Sequence, residues 1–490
     1  MALTEPQSVT TQPYHLQQLE CDTTTESKAP PPPDRETLFV TACRRLILDN
    51  PRSHTLSCTY SNEILQDLQG GAYGDTLALK SLKNLTCTTM DGLVPKWSPP
   101  SVTHLKSGGV FGSRFNPFSS DSGGHPGIKT AVVHEALESW EVAYIESCAH
   151  FKCLLAQIPN LKTLSINNFI FDGSVSQFVP ANPFEEKIIW PASRITVLKY
   201  RQSRGAYSSA SKFDGFFASF PLLVEYHDDM WFSSTATQLV QHCPLLEVVR
   251  MRATVSVLLT GLPKLRVLDV PYESVTAENI LRRPWVCLDM EEFRCQIAEV
   301  PFLTKEHELL VQDIFKRETA GTMGSVQQQH IRTDEEERLM EYSEKCVSTR
   351  RQIIGQLSKL TSLKYLSLSP DFKTGNKIFE NRFIALPVFK SERDGRNYIR
   401  YNDVLPDTLH FRLDSGLDQL ASLENLEYLS FESIDHRMET AEIIWLARHF
   451  PRLKEMRGLV TENHIGMEPD PENDALVALI RNIRPYIAQR

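Results

Sequence analysis

A serine beside an aspartate and two glycines is the feature of this sequence that comes closest to a catalytic nucleophile. The segment Asp121–Gly124 reads Asp-Ser-Gly-Gly and lies in a stretch, 107–128, that is rich in Gly, Ser, Pro and Phe. It overlaps the Gly-Asp-Ser-Gly-Gly signature, in which a serine hydroxyl attacks a carbonyl while backbone amides hold the oxyanion. Ser120 replaces the leading glycine of that signature, and no upstream histidine lies in a matching strand pattern. A polar surface loop explains the segment better, and a hydrolase with its site in 107–128 remains an alternative.

Two further groups of residues have side chains that can bind metals. His227–Asp229 brings an imidazole and two carboxylates together, but it comes directly after a predicted strand, where acidic turn residues are common. Cys148 and Cys153, with His150 between them, are not matched by a second ligand pair and fit the buried side of a helix. The sequence also lacks the glycine-rich phosphate loops, the His-Glu-x-x-His zinc motif and the Gly-x-Ser-x-Gly elbow. We therefore predict no catalytic, metal or cofactor site, and a protein that is not an enzyme.

Charge and hydropathy indicate which classes of binding partner the protein does not have. The 490 residues carry a formal net charge of −9, whereas nucleic-acid-binding proteins usually carry a basic stripe. The sequence has neither a run of about 18 apolar residues, which a membrane span needs, nor the basic and apolar leader of a secretory signal. The 10 cysteines are scattered through apolar stretches, which is typical of a reducing compartment. We expect a cytoplasmic or nuclear protein that binds neither nucleic acid nor membrane.

The elements that would position any site follow a repeated strand template, Leu-x-x-Leu-x-(apolar), often opened by proline. Most gaps between successive copies fall near the 20–29 residues of a leucine-rich repeat. Proline suits the start of the template because it ends the preceding helix. The pattern predicts an α/β fold, a leucine-rich-repeat solenoid shaped as an irregular horseshoe with parallel strands on its concave face and helices on its convex face. The first apolar residues of the copies lie at 161, 195, 223, 246, 265, 290, 363, 426 and 453.

Four regions are predicted along the chain. Residues 1–36 form a disordered, proline-rich tail, because they hold too little apolar surface to offset the entropy of ordering. Residues 37–297 form the N-terminal part of the repeat array, with a first strand at 44–48 and a helix over 131–158. Residues 298–357 form a charged helical insertion, whose second helix opens with a capping box at Thr333. Residues 358–490 form the C-terminal part of the array and end in a capping helix.

The x positions of the template are expected to line the open face of the sheet. Tyr365 and Tyr428 occupy the same template position in two consecutive units, immediately before the second leucine. Tyrosine is enriched at interface hot spots, but it also has a high intrinsic preference for strands, so both readings of this pair stay open. With the residues that precede them, Lys364 and Glu427, these tyrosines are the predicted partner-binding residues.

The segment Asp435–Gly458, with the strand templates before it, resembles fungal F-box/leucine-rich-repeat proteins, and at the level of repeats the likeness covers roughly residues 37–490. In that family the repeats hold a protein substrate while an N-terminal F-box docks the adaptor Skp1 of a cullin ubiquitin ligase. The resemblance therefore implies a protein partner for the repeats, with Skp1 and a cullin as the machinery that they would serve. The first 36 residues are too few and too polar for a three-helix F-box, so we expect the F-box to be missing.

These features together favour a non-enzymatic scaffold for protein–protein interaction. Its closest likeness is the substrate-binding repeat region of an F-box type ubiquitin-ligase receptor. Besides the hydrolase, a structural arm inside a larger complex is the second alternative.

Overall fold

The structure is a computed structural model with an α/β fold. It describes residues 55–58, 83–87, 101–110, 135–145, 151, 155–167, 193–201, 216–228, 235–251, 255–323, 332–369, 389–390, 397–398, 408–432, 434, 436–459 and 471–489. Within these residues a 14-stranded sheet has its strands in chain order, every neighbouring pair is parallel, and the sheet does not close into a barrel.

The strands of the large sheet are short. A separate two-stranded sheet comes between its eleventh and twelfth strands in the sequence. The large sheet contains β1 Thr55–Cys58, β2 Asn84–Cys87, β3 His104–Val110, β4 Ser139–Ile145, β5 Thr163–Ile166, β6 Val197–Tyr200, β7 Glu225–Asp228, β8 Val248–Arg250, β9 Val267–Thr276, β10 Glu292–Ala298, β11 Tyr365–Ser367, β14 Tyr428–Ser430, β15 Glu455–Arg457 and β16 Ala488–Gln489. The separate pair is antiparallel and consists of β12 Phe389–Lys390 and β13 Asn397–Tyr398.

The strand template works through alternation and a tight turn. In β5, β6, β7 and β10 buried residues alternate with partly exposed ones, so one face enters the core and the other does not. Before the strands, proline sits at the second position of a β-turn, a position that suits its fixed φ. The N–H of Leu246 donates to the carbonyl of Cys243 across Pro244 at 3.2 Å, and Leu265 donates to Leu262 across Pro263 at the same distance.

The helices connect the strands and pack against one another as a second layer. They are α1 Thr235–His242, α2 Ser256–Gly261, α3 Ala277–Arg282, α4 Lys305–Met323, α5 Asp334–Leu357, α6 Thr440–His449 and α7 Pro471–Ile483, with 3₁₀ turns at Phe217–Ser219 and Leu417–Ser422. Contacts join α1 to α2, α3 and α4 to α5, and α6 to α7. None of the helices described is both long enough and apolar enough to cross a membrane.

One apolar core lies against the sheet from β2 to the last strand. It is continuous from Leu85 near one end to Ile487 at the other, and the leucines at template positions are almost completely buried throughout. A second, smaller cluster lies apart from it, between α4 and α5.

The structure confirms the strands predicted from the template, but it shows that the helix predicted over 131–158 is wrong across 139–145. This segment is β4, which pairs with β3 on one side and β5 on the other. Trp140 and Val142 are buried, and the residues flanking them are partly exposed, which is the alternation of a strand. Leu137-x-x-Trp-x-Val142 is the same template with tryptophan in place of the second leucine.

One predicted boundary differs in the structure, and several predicted segments lie outside the described residues. The loop expected from residue 107 begins later, because β3 continues through Val110. The predicted strand at 44–48, the tail 1–36 and residues 111–128, including Ser122, lie outside the described residues. So do Cys148 and Cys153. The two helices predicted within 298–357 are confirmed as α4 and α5.

Candidate functional site

The exposed face of the sheet carries rows of side chains that run from strand to strand. In the pairing register Val267, Glu292, Tyr365, Tyr428 and Glu455 are successive partners in β9, β10, β11, β14 and β15. Neighbouring parallel strands lie about 4.8 Å apart, so each side chain in such a row lies beside the next. The expectation that the two tyrosines occupy equivalent positions is confirmed.

The rings of Tyr365 and Tyr428 form a closely stacked pair. Their centroids are 3.9 Å apart and their planes differ by 6°. Both tyrosines are partly exposed. Burial and, to a smaller extent, a hydrogen bond with Tyr428 raise the pKa of Tyr365, so the phenol of Tyr365 is neutral at physiological pH.

Two arginines cover the outer faces of the tyrosine pair. The guanidinium carbon of Arg294 lies 4.8 Å from the ring centroid of Tyr365, and that of Arg457 lies 5.5 Å from the ring centroid of Tyr428. Both distances are within the range of a cation–π contact. The result is a four-layer Arg–Tyr–Tyr–Arg stack across β10, β11, β14 and β15, which we call the tyrosine stack.

Carboxylates on the same face hold the arginines in place. Asp269 lies 3.6 Å from Arg250 and 3.4 Å from Arg294, while Glu455 lies 2.7 Å from Arg457. Burial disfavours the charged form of Arg294, but the nearby carboxylates outweigh it and raise the pKa of this guanidinium. Glu292 also lies 3.7 Å from Arg294, so three carboxylates match the three arginines and this group of side chains has little net charge.

The other two predicted site residues lie beside this face. Lys364 and Glu427 precede β11 and β14, and their side chains pair with acidic or basic residues of adjacent units. The Nζ of Lys364 lies 2.8 Å from Glu291, and Glu427 lies 2.5 Å from the Nζ of Lys454. They belong to an edge row of alternating charge, Glu247, Arg266, Glu291, Lys364, Glu427 and Lys454, in which Arg266 pairs with both Glu247 and Glu291.

Backbone hydrogen bonds at this edge keep the register through the insertions. The carbonyl of Glu291 accepts the N–H groups of Lys364 at 2.8 Å and Tyr365 at 3.0 Å. The carbonyl of Lys364 in turn accepts those of Glu427 at 2.8 Å and Tyr428 at 3.0 Å. Both helices of the 298–357 insertion lie between β10 and β11 in sequence, yet these strands pair as closely as consecutive units.

The residues considered for chemistry do not converge in the described part of the chain. His227 and Asp228 follow one another in β7 and so point to opposite faces: His227 bonds to Glu225 at 2.5 Å, and the buried Asp228 accepts the hydroxyl of Tyr226 at 2.8 Å. Burial raises the pKa of Cys243 and Cys287 to about 12, which keeps these sulfurs as unreactive thiols. No group of three or more metal-ligating side chains is found among the described residues.

Sequence reasoning missed Arg294 and Arg457. Each lies two positions after the residue that aligns with the tyrosines, in the strand next to a tyrosine. The signal was present in the template, since strand alternation places residues on both sides of the second leucine on one face. Aligning both exposed positions of every unit would have placed the two arginines beside the tyrosine pair.

Comparison of the chain with protein-family models and with curated proteins found no match, so no family membership is assigned.

Proposed function

We propose that the chain is a leucine-rich-repeat solenoid that binds protein partners through the exposed, concave face of its sheet and performs no catalysis itself. The chain order of the strands, the template at each strand and the layer of packed helices support this architecture. A long row of short parallel strands offers an extended surface, which suits a macromolecular partner better than a small molecule.

The tyrosine stack is the observation that carries this proposal. Tyrosine and arginine are the residue types that most often dominate binding energy at protein interfaces. Here both are held in place before any partner arrives, by stacking and by the ion pairs of Arg294 and Arg457. A partner that docks on them loses little side-chain entropy in doing so. The matched charges favour short-range contacts over long-range attraction of a polyanion.

Affinity purification with a paired variant tests the proposal. Replacing both tyrosines, Tyr365→Ala with Tyr428→Ala, removes two hot-spot side chains, and we expect recovery of the specific partners from a cell extract to fall at least about tenfold. Tyr486→Ala is the matched control, because Tyr486 is also exposed and also lies under an arginine, Arg484, at 4.9 Å. Equal recovery with the double variant and wild type, with both folded by circular dichroism, would show that this face does not bind.

The same purification tests the substrate-receptor form of the proposal. If the chain serves a ubiquitin ligase in the cytosol or nucleus, Skp1 and a cullin accompany the partners of the tyrosine stack. Because an adaptor docks away from the substrate face, its recovery is expected to survive the double tyrosine variant. Partners recovered without Skp1 or cullin would leave a scaffold that works outside such a ligase.

A further inference from the structure

An open groove runs along one side of α5, away from the sheet face. Its cavity volume is about 840 Å³, and Met340, Glu344, Val347, Arg351 and Gly355 line one wall. Their spacing of four, three, four and four residues places them on one face of the helix. At 1.5 Å per residue, the stretch from Met340 to Gly355 is about 22 Å long, which is enough for four turns of another helix.

The groove has an apolar end that the protein leaves open to solvent. The side chain of Arg317 in α4 bonds to Glu336 at 2.7 Å, so α4 flanks the first turns of α5. Phe315, two residues earlier in α4, lines the groove at this end beside Met340 and is 51% exposed. An exposed aromatic side chain at the end of a groove can anchor a partner.

The charged residues along the groove would match those of a second, antiparallel copy of the same helix. Glu344 and Arg351 are both exposed and lie seven residues apart on the groove face. Neither forms an ion pair within 4 Å with another described residue, although many of the charged residues on the sheet face and its edge do. An exposed acid and an exposed base on the same helical face can be satisfied together by an antiparallel copy of that face.

One register of two antiparallel copies pairs these charges. If a second α5 lies antiparallel with its two-fold axis between Val347 and Ser348, Glu344 faces Arg351 of the second copy, and the reverse pair forms by symmetry. A single register therefore satisfies both charges of each copy.

We propose that this groove is the two-fold interface of a homodimer, in which α5 of one copy packs antiparallel on α5 of another. The interface is separate from the tyrosine stack, so each copy keeps its partner-binding face. A contact made by α5 and the flanking α4 of each copy buries an area at the small end of the range for specific interfaces. We therefore expect a dissociation constant of about 1–50 µM.

Sedimentation velocity between about 1 and 200 µM tests the proposal with the full chain. Wild type is expected to pass from the 55.8 kDa monomer to twice that mass as concentration rises. Glu344→Arg alone and Arg351→Glu alone each place like charges together twice in the dimer, and we expect each to weaken association at least about tenfold. The double variant Glu344→Arg with Arg351→Glu restores opposite charges and is expected to return the dissociation constant to within about threefold of wild type.

Arg338→Glu is the control, because Arg338 is exposed on the opposite side of α5; it is expected to leave association unchanged. A wild type that stays monomeric at about 200 µM would overturn the proposal, as would charge reversals without effect or a double variant that fails to recover. If wild type is monomeric but Glu344→Arg removes a protein recovered from extract, the groove binds a helix of another protein, and the homodimer is wrong.

Discussion

The two apolar clusters of this molecule differ in size and in what supports them. The main core runs under the whole sheet, and its aromatic members Phe293, Phe431 and Phe450 are completely buried. Among the described residues, the buried members of the cluster between α4 and α5 are Leu303, Val311, Ile314, Met340 and Cys346, with Leu339 packed against them. Each inner strand of the array pairs with a neighbour on both sides, whereas the described part of the insertion packs on the array through the second half of α5.

Ion pairs and hydrogen bonds partly compensate for the small apolar cluster of the insertion. Arg437 reaches from the main array to Glu308 of α4, and Arg332 pairs with Glu318. The buried Arg350 donates to the carbonyl of Pro301 at 3.0 Å. Surface ion pairs stabilise by about 1 kcal/mol or less each, while a buried leucine or phenylalanine contributes about 1.5–3 kcal/mol. The insertion is therefore expected to open locally before the array unfolds.

Removing a large side chain from the main core should have the largest effect. Phe293 is fully buried and its ring stacks on Trp285 with centroids 5.4 Å apart. Phe293→Ala is expected to lower the free energy of unfolding by about 3–5 kcal/mol, because it loses burial and leaves a cavity. Urea denaturation followed by circular dichroism measures this. Phe315→Ala at 51% exposure is the matched control and is expected to cost less than about 1 kcal/mol; similar costs for the two would remove the contrast between core and insertion.

Removing a side chain from the small cluster should destabilise only the insertion. Ile314 of α4 is fully buried against Met340 and Cys346. Ile314→Ala is expected to cost about 2–3 kcal/mol, because the small cluster can relax around part of the cavity. Hydrogen exchange of the α4 amides should speed up by about 30-fold or more, while exchange in β9 and β10 and the urea midpoint of the array stay unchanged. Equal acceleration in the strands would mean that insertion and array unfold as one unit.

The same contrast explains what the sequence could and could not predict. Strands that keep two leucines after a proline, such as β5 and β9, were recognised because local pattern and tertiary packing agree. β4 was mistaken for a helix because Trp140 replaces the second leucine, and pairing on both sides decides its conformation. Periodicity and a capping box were enough for α5.

The candidate site depended on aligning strands that lie far apart in the sequence. The expectation that Tyr365 and Tyr428 are equivalent needed only the template. Arg294 is distant from both in sequence, because the helical insertion separates β10 from β11, and only the paired register places it over a tyrosine ring. Lys364 lies one residue before β11. For this reason its side chain is not in the row of the tyrosines but in the edge row, where it pairs with Glu291.

Two threonine caps, one in each region, provide the smallest and most closely matched comparison. Thr276 caps α3 in the array by accepting the N–H of Asn279 at 3.3 Å, and Thr333 caps α5 in the insertion by accepting the N–H of Glu336 at 3.2 Å. Each Thr→Ala substitution is expected to cost about 1 kcal/mol, because one backbone N–H loses its acceptor. The substitution and the expected loss of stability are the same at both caps. Any difference in the measured unfolding or amide exchange therefore comes from the region in which the helix lies.

Where that loss appears is the informative result. Thr276 is followed in the first turn of α3 by Ala277 and Ile280, which are buried in the main core. Thr276→Ala should therefore lower the urea midpoint of the whole array. Thr333→Ala should leave that midpoint unchanged and speed amide exchange about fivefold in the first turns of α5. The second half of α5 reaches the main core through Ile353, Ile354 and Leu357, so exchange there should not change. If Thr333→Ala lowers the global midpoint as much as Thr276→Ala does, α5 transmits its stability to the array along its whole length, and the insertion is no separate unit.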